Sequence, residues 1–339
     1  MTDTLPLVPK GAAFFAVPDP GPSRTYVFVL VPGFTLLAFA SAVEPLRIAN
    51  QLSQQPLYRW RVLSETGAQV ASSSGIAVAA ETALEPLDKN TRLFICAGNP
   101  PMAAASPVIV SFVQRHHRFG GGVGGICTGA YALAKGGLVK GRRFTLHWEN
   151  QPGFVETFPD LVPTANRYET DGQLMTCGGG AASTDMMLQV IAVDHGAEFA
   201  SMVSEMCLRT VITGAAPEQR SSLAALLSSR NPVLVATVTL MNRHIDAPLS
   251  MDELADAAGY SRRHLERLFR DAVRKTPGEF YRGLRMERGR NLLVTTDLTL
   301  MEVSMACGFT SVSHFSKNFR ASFGISPTKL KSGFGMPNK

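Results

Sequence analysis

The chain has 339 residues, 45% hydrophobic and 18% charged, which excludes disorder throughout and leaves room for two or three domains of roughly 100–200 residues. No run of about 18 apolar residues occurs, and the N-terminus, broken by Pro6, Pro9, Pro18, Pro20 and Pro22, has no basic stretch leading into an apolar core, so neither membrane span nor signal peptide is expected and the expected compartment is the cytoplasm. The formal net charge of +6 is uneven: residues 230–339 carry 17 Lys+Arg against 10 Asp+Glu, whereas residues 1–229 carry 16 against 17, a split that points to a nucleic-acid-binding domain in the last third.

Residues 1–24 are Pro-rich without hydrophobic periodicity and are expected to form a disordered arm. From Tyr26, YVFVLV reads as a strand buried on both faces, closed by Pro32-Gly33 and followed by a helix from about Thr35 to Leu52. RWRVLS (59–64) and RLFICAG (92–98) read as further strands, VIVSFVQRHHRF (108–119) as a helix, and GVGGIC as a strand after a Gly-rich turn. This alternation predicts an α/β domain over 25–208 with a central, mostly parallel sheet. RYETDGQLMTC (167–177) carries a hairpin signal at Asp171-Gly172, and GGGAASTDMMLQVIAVDHG reads as a glycine turn into a helix. Residues 209–230 mix Gly, Pro, Ser and charges and are expected to be a linker. Beyond it only amphipathic helices are expected, giving an all-α domain over 231–331 and a tail over 332–339.

The last third repeats itself at an offset of about 50 residues: MDELADAAGYSRRHLERLFRDAVRKTP (251–277) and LMEVSMACGFTSVSHFSKNFRASFGISP (300–327). Each has a short helix, a Gly-aromatic-Ser/Thr turn (Gly259-Tyr260-Ser261 and Gly308-Phe309-Thr310) whose Ser261 or Thr310 is expected to cap the next helix, and a second helix ending before Pro277 or Pro327. On the second helices, Leu265, Leu268, Phe269 and Ala272 form one stripe, matched by Phe315, Phe319 and Ser322. Opposite lie Arg263, Glu266, Arg267 and Arg270 in one copy and Ser313, Ser316, Lys317 and Arg320 in the other, side chains suited to a major groove, where Arg reads guanine bidentately. The intervening stretch from Gly278 to Thr295 reads as one long helix with Arg282, Arg285, Arg288 and Arg290, weakened at Gly289 by ~1 kcal/mol relative to Ala.

On these motifs, and above all on GFTSVSHFSKNFRASFGISPTKLK, residues 231–331 resemble the DNA-binding domain of the AraC/XylS family of transcriptional regulators, with Leu330 and Gly289 departing from its usual pattern. The resemblance implies two helix-turn-helix motifs entering successive major grooves on one face of a bent double-stranded DNA operator.

In the α/β domain, GVGGICTGAYALAKGGL (122–138) sets Cys127 between a short strand and a small-residue helix, the layout of a nucleophile elbow. The five cysteines are scattered with no CxxC pair, so neither a disulfide framework nor a zinc site is expected, and no cofactor is. The segment resembles the DJ-1/PfpI superfamily with its flavodoxin-like sandwich, which implies Cys127 as the elbow cysteine, Glu44 as its acidic neighbour and His147 as the local histidine. Thr128 stands where the protease-like branch has a histidine. Three readings of the elbow stay open: a ligand pocket without turnover, a redox-responsive thiol, and a catalytic one, a cysteine-dependent hydrolase or glyoxalase-like enzyme fused to a DNA-binding domain.

Together the two domains resemble the GlxA group of regulators, with VEPLRIAN, ICTGAYALAKGGL, HWEN and CGGGAASTDMML closest to members that respond to arginine, glycine betaine or carnitine. The resemblance implies a non-enzymatic, homodimeric activator working with RNA polymerase under control of a small amine or amino acid. For such an effector Phe34, Trp148, Glu44 and Asp185 would supply aromatic faces and carboxylates beside Cys127, Thr128 and His147. Phe34 and Trp148 serve equally well as core residues.

Overall fold

The computed structural model describes residues 8–209, 219 and 231–334, and the chain divides into two compact units, Met1–Gln219 and Arg220–Lys339. In the first, β1 (Arg24–Leu30), β2 (Tyr58–Ser64), β5 (Arg92–Cys96), β6 (Gly122–Ile126), β7 (Tyr168–Asp171) and β8 (Leu174–Cys177) form a sheet in the order β2-β1-β5-β6-β8-β7. All neighbours are parallel except β7 and β8. A separate antiparallel pair, β3 (Val70–Ala71) and β4 (Ala77–Val78), was not expected from the sequence and is too short to leave a periodic pattern.

The continuous apolar run of β1 has a plain cause. Tyr26, Phe28 and Leu30 belong to one core cluster, and Val27, Val29 and Val31 to the other, so alternating side chains both find cover. The first cluster takes Leu46 from α1 (Leu36–Ser53), Met186 from α5 (Ala182–His195) and Phe199 from α6 (Ala197–Met206). The second takes Phe112 from α2 (Pro107–Arg118), Tyr131 from α3 (Ala130–Lys135) and Phe154 from α4 (Gln151–Thr157). The product is a three-layer α/β sandwich, as expected, with the hairpin turn one residue further on: Asp171 pairs with Leu174, and Gly172, at φ +61°, opens a two-residue turn.

The expected disordered arm needs correction. Within its described part Val17 is buried, the Phe15 N–H donates to Leu52 O at 2.8 Å, and the Phe15 ring lies 5.2 Å from that of Phe199. Apolar residues between the prolines, rather than periodicity, carry that packing. Of the expected linker, only Arg209 and Gln219 lie among the described residues. No helix among the described residues is long and apolar enough to cross a membrane.

The second unit is helical: α7 (Pro232–Arg243), α8 (Met251–Ala258), α9 (Arg262–Val273), α10 (Pro277–Thr295), α11 (Leu300–Ala306), α12 (Val312–Phe323) and α13 (Pro327–Phe334), the last extending into the expected tail. Leu254, Leu265, Phe269 and Tyr281 form one core, and Leu293, Val303, Phe315 and Phe319 another, with α10 contributing to both. Capping boxes at Ser250/Glu253, Thr276/Glu279 and Thr299/Glu302 start α8, α10 and α11, a signal legible as S/T-x-x-E. Gly259 and Gly308 follow α8 and α11 at φ +69° and +71°, the left-handed exits that glycine allows.

Two details differ from expectation. The turn of the second copy is one residue longer, so the cap of α12 is Ser311, which accepts from His264's counterpart, the His314 N–H, and Thr310 is not the cap. Ser322 is exposed rather than buried, and Phe323 packs against the core instead. Gly289 has a positive role: a Cβ there would lie 2.7 Å from the ring of buried Phe315, so its absence lets α10 and α12 meet closely.

Because Ser311 alone caps α12, Ser311→Ala should destabilise the second unit by about 1 kcal/mol, whereas Thr310→Ala should be nearly neutral. Urea unfolding followed by helical circular dichroism checks this, and equal losses would refute the assignment of the cap.

Candidate functional site

The loops after β1, β5, β6 and β8 meet at the carboxyl ends of parallel strands, where open α/β sheets place their sites. Cys127 follows β6 at φ +60°, a left-handed conformation that costs a non-glycine residue energy and needs support. That support is on hand: the Cys127 N–H donates to Cys177 O at 3.1 Å, and the His147 N–H donates to Cys127 O at 3.3 Å. Gly179, itself at φ +79°, comes so close that a Cβ on it would sit 2.7 Å from that of Cys127.

Cys127 is buried, and Thr35 Oγ1 donates to its Sγ at 3.7 Å. Burial pushes the thiol pKa up to about 11; hydrogen bonds from Thr35 and the Thr128 backbone oppose the rise, and Cys177 and Glu149 add to it. The elbow therefore presents a protonated thiol at neutral pH. Among the other cysteines, Cys96, Cys177 and Cys307 are buried and Cys207 is half-buried.

Several expected site residues stand elsewhere. Glu44 is not the neighbour of Cys127: it lies on the outer part of α1 and pairs with Arg47 at 2.7 Å, while Thr35, at the start of the same βα unit, takes the place beside the sulfur. Phe34 is fully buried and packs edge-on against Phe39, so it is core and forms no cage. The Thr128 side chain turns away, donating to Gly98 O at 2.6 Å. Asp185 is held between Arg167 at 3.1 Å and Arg209 at 2.6 Å, so it is no open counter-charge for a cation. Burial nonetheless raises its pKa, against the pull of both arginines.

His147 reaches Cys127 through its backbone, while its ring lies 5.5 Å from that of Trp148, and Nδ1 is 3.9 Å from a Glu149 oxygen. Burial lowers the His147 pKa, with Glu149 opposing, so the ring is neutral at pH 7. Trp148 is 39% exposed. The group brought together is thus Thr35, Cys127, His147, Trp148 and Gly179, with Glu149 nearby. Thr35 and Gly179 were missed because neither carries charge, although both sit in turns directly after strands. Glu149 lies within the HWEN segment singled out from the sequence.

In the second unit, α9 buries Leu265 and Phe269 and exposes Arg263, Arg267 and Arg270, while α12 buries Phe315 and Phe319 and exposes Ser313, Lys317 and Arg320, with Ser316 half-buried. Glu266 pairs with Arg262 at 3.2 Å, which spends it within its own helix face, and the Arg267 guanidinium lies 3.3 Å from His264 Nδ1. His264 and His314 were missed, though they too repeat; the Tyr260 ring stacks on His264 at 4.6 Å and the Phe309 ring meets His314 edge-on at 5.4 Å. Arg285 is structural: it donates to Cys307 O and Gly308 O at 2.7 and 2.6 Å and lies 3.9 Å over the Phe309 ring. It thereby fixes the turn of the second motif to α10.

Two units of this construction, an α/β sandwich with a thiol elbow and a helical unit with twin helix-turn-helix motifs, define a two-domain regulator architecture. A DJ-1/PfpI family model matches residues 27–193, and a helix-turn-helix domain model matches residues 254–333. The chain is 44% identical over 307 residues to the HTH-type transcriptional regulator CdhR of Pseudomonas aeruginosa, covering 91% of each chain. It is 39% identical over 309 residues to the HTH-type transcriptional regulator GlxA of Rhizobium meliloti, covering 91% of this chain and 95% of that one. With GbdR of Pseudomonas aeruginosa, another HTH-type transcriptional regulator, the identity is 38% over 306 residues, with coverage of 90% and 83%. The chain belongs to this family of GlxA-type HTH transcriptional regulators, with a DJ-1/PfpI-like domain ahead of an AraC-type one.

With its pKa near 11, Cys127 should react with iodoacetamide at pH 7 about a hundredfold more slowly than an unperturbed cysteine. A folded-state pKa above the unfolded one stabilises the fold below about pH 9, and that contribution is lost as pH rises toward about 11. Alkylation rates and unfolding midpoints across this window check both expectations; reactivity at pH 7 equal to a free thiol would contradict them.

Proposed function

We propose that this chain is a cytoplasmic, sequence-specific activator that binds a double-stranded operator through α9 and α12 and is controlled by a small amine or amino acid bound at the elbow of its first unit. The observation that carries the DNA half is the pair of helices that bury the same apolar stripe and expose polar faces 50 residues apart, each aimed by a capped, glycine-terminated turn. The cationic balance of residues 230–339 supplies the phosphate attraction. Family membership supports a homodimer that recruits RNA polymerase.

Arg263→Ala and Arg267→Ala should each weaken operator binding by about 1–3 kcal/mol and relax the sequence preference at one half of the site. Quantitative binding of the full chain to operator and random DNA across a salt series tests this. Equal losses on both DNAs would reassign these arginines to phosphates.

For the effector, the groups at hand are the half-exposed Trp148 ring, the Glu149 carboxylate and the neutral His147. An aromatic face beside a carboxylate suits an ammonium or guanidinium group. A buried, protonated thiol with a threonine beside it supports binding rather than turnover. Thermal-shift titration with arginine, glycine betaine and carnitine should find a stabilising ligand. Trp148→Ala should then weaken it by about 0.5–2 kcal/mol, while Cys127→Ser leaves binding and ligand-dependent transcription intact. Loss of the response in Cys127→Ser, with folding and DNA binding preserved, would favour chemistry at the thiol.

A further inference from the structure

Gln219, the last residue of the first unit, is held by the sensor through both its backbone and its side chain. Its N–H donates to Ala165 O at 2.9 Å. Its side-chain oxygen accepts from the Trp148 N–H at 2.9 Å, while Nε2 faces Thr145 Oγ1 at 2.9 Å, Leu146 O at 2.8 Å and Asn166 O at 3.0 Å. One donor on one side and acceptors on the other match the polarity of a primary amide, whose carbonyl accepts and whose two N–H bonds are shared among the three acceptors. A carboxylate would turn a bare oxygen toward the acceptors, and a shorter side chain would not reach them. Gly178 completes the fit, since a Cβ there would lie 2.3 Å from Gln219 Oε1.

The segment that receives Gln219 also supports the elbow. Thr145 N–H donates to Thr176 Oγ1 on β8 at 2.8 Å, and His147 N–H donates to the Cys127 carbonyl. Residues 145–148 therefore touch Gln219 with their carbonyl, hydroxyl and amide groups and touch Cys127 through the residue between them. A ligand seated against His147 and Trp148 acts on the same short stretch of backbone that the amide of Gln219 holds.

We propose that this amide-shaped subsite is a latch: Gln219 docked in it ties the start of the DNA-binding half's connection to the effector site, and its release is the step that the effector regulates. The proposal rests on the effector-controlled function above and deepens it by naming the contact through which control leaves the first unit. Ligand binding and latch release are linked whenever the ligand's affinity differs between the docked and released states, and the coupling is reciprocal.

The test uses two variants of the full chain. Gln219→Ala removes the amide, and Gly178→Ala expels it from the opposite side without changing the linker sequence. Each should raise hydrogen exchange at the Trp148 amide about tenfold, the scale of one or two lost hydrogen bonds, with the melting of the first unit checked separately. Each should also shift transcription from the cognate promoter, without added effector, in the same direction. Unchanged exchange in both variants would overturn the latch, and faster exchange with unchanged transcription would overturn its regulatory role. If the wild-type chain binds no operator specifically, the functional reading fails instead, while Trp148 exchange still reports on the latch.

Discussion

Cys127 sits in a left-handed backbone conformation at the end of β6, and the organisation of the first unit follows from holding it there. A side chain with a Cβ in that region stores strain of order 1–3 kcal/mol, which the surroundings must over-determine. They do so through hydrogen bonds on both sides of the residue and through glycines that let backbone replace side chain. A Cβ on Gly129 would meet Ile95 O at 2.0 Å, and one on Gly125 would meet Ala130 N at 2.6 Å. The run GVGGICTG is thus one answer to one packing demand. The sharp turn brings the ends of β5, β6 and β8 together, leaves the thiol dry, and draws the 145–148 segment onto the Cys127 carbonyl.

The second unit solves a comparable problem of aim. Two recognition helices can read one duplex only if their relative orientation is fixed, and α10 supplies the common axis. Gly308 leaves room for the 245–248 segment, where a Cβ would meet Ile245 O and Pro248 at 2.6 Å, and Tyr281 on α10 donates to His244 O. Arg285 fastens the second turn from the other side. All four arginines of α10, Arg282, Arg285, Arg288 and Arg290, are exposed or half-buried, but Arg285 is spent on structure; net charge alone overstates what is available to phosphate.

The sequence was most legible where a pattern repeats or runs long. Strands buried on both faces, the hairpin and the twin helix-turn-helix motifs all announce themselves through periodicity and turn chemistry. The site was less legible, because it depends on which end of an element a residue occupies. Glu44 and Thr35 share a βα unit, but at 1.5 Å per helical residue they stand roughly 13 Å apart along the axis, and only the nearer one meets the sulfur. Asp185 read as an available carboxylate because its arginine partners, Arg167 and Arg209, come from separate parts of the chain. The N-terminal arm was misjudged because isolated apolar residues such as Phe15 and Val17 pack without leaving a period. A one-residue insertion in a turn moved the helix cap from Thr310 to Ser311, which an average offset cannot reveal.

Magnitudes favour a latch of modest strength as the carrier of control. Swinging a two-state equilibrium from 1:99 to 99:1 takes about 5.5 kcal/mol of differential binding. Ligand efficiencies run from ~1.5 kcal/mol per non-hydrogen atom for the very best tiny ligands down to ~0.3, so for an amino acid or quaternary amine of about ten such atoms a differential of this size takes much of the binding energy on hand. A buried apolar interface between the units would be too strong for such a ligand to open, and a surface ion pair too weak to hold. Gln219 lies between these limits: its hydrogen bonds contribute a net ~0.5–1.5 kcal/mol each, together a few kcal/mol, and all end on groups within hydrogen-bonding reach of one short loop. A neutral amide also responds little to salt, so the latch need not weaken under the ionic conditions that weaken a protein's attraction to DNA phosphates. The latch itself is thereby neutral, and its strength is set by hydrogen-bond geometry rather than by the ionic surroundings.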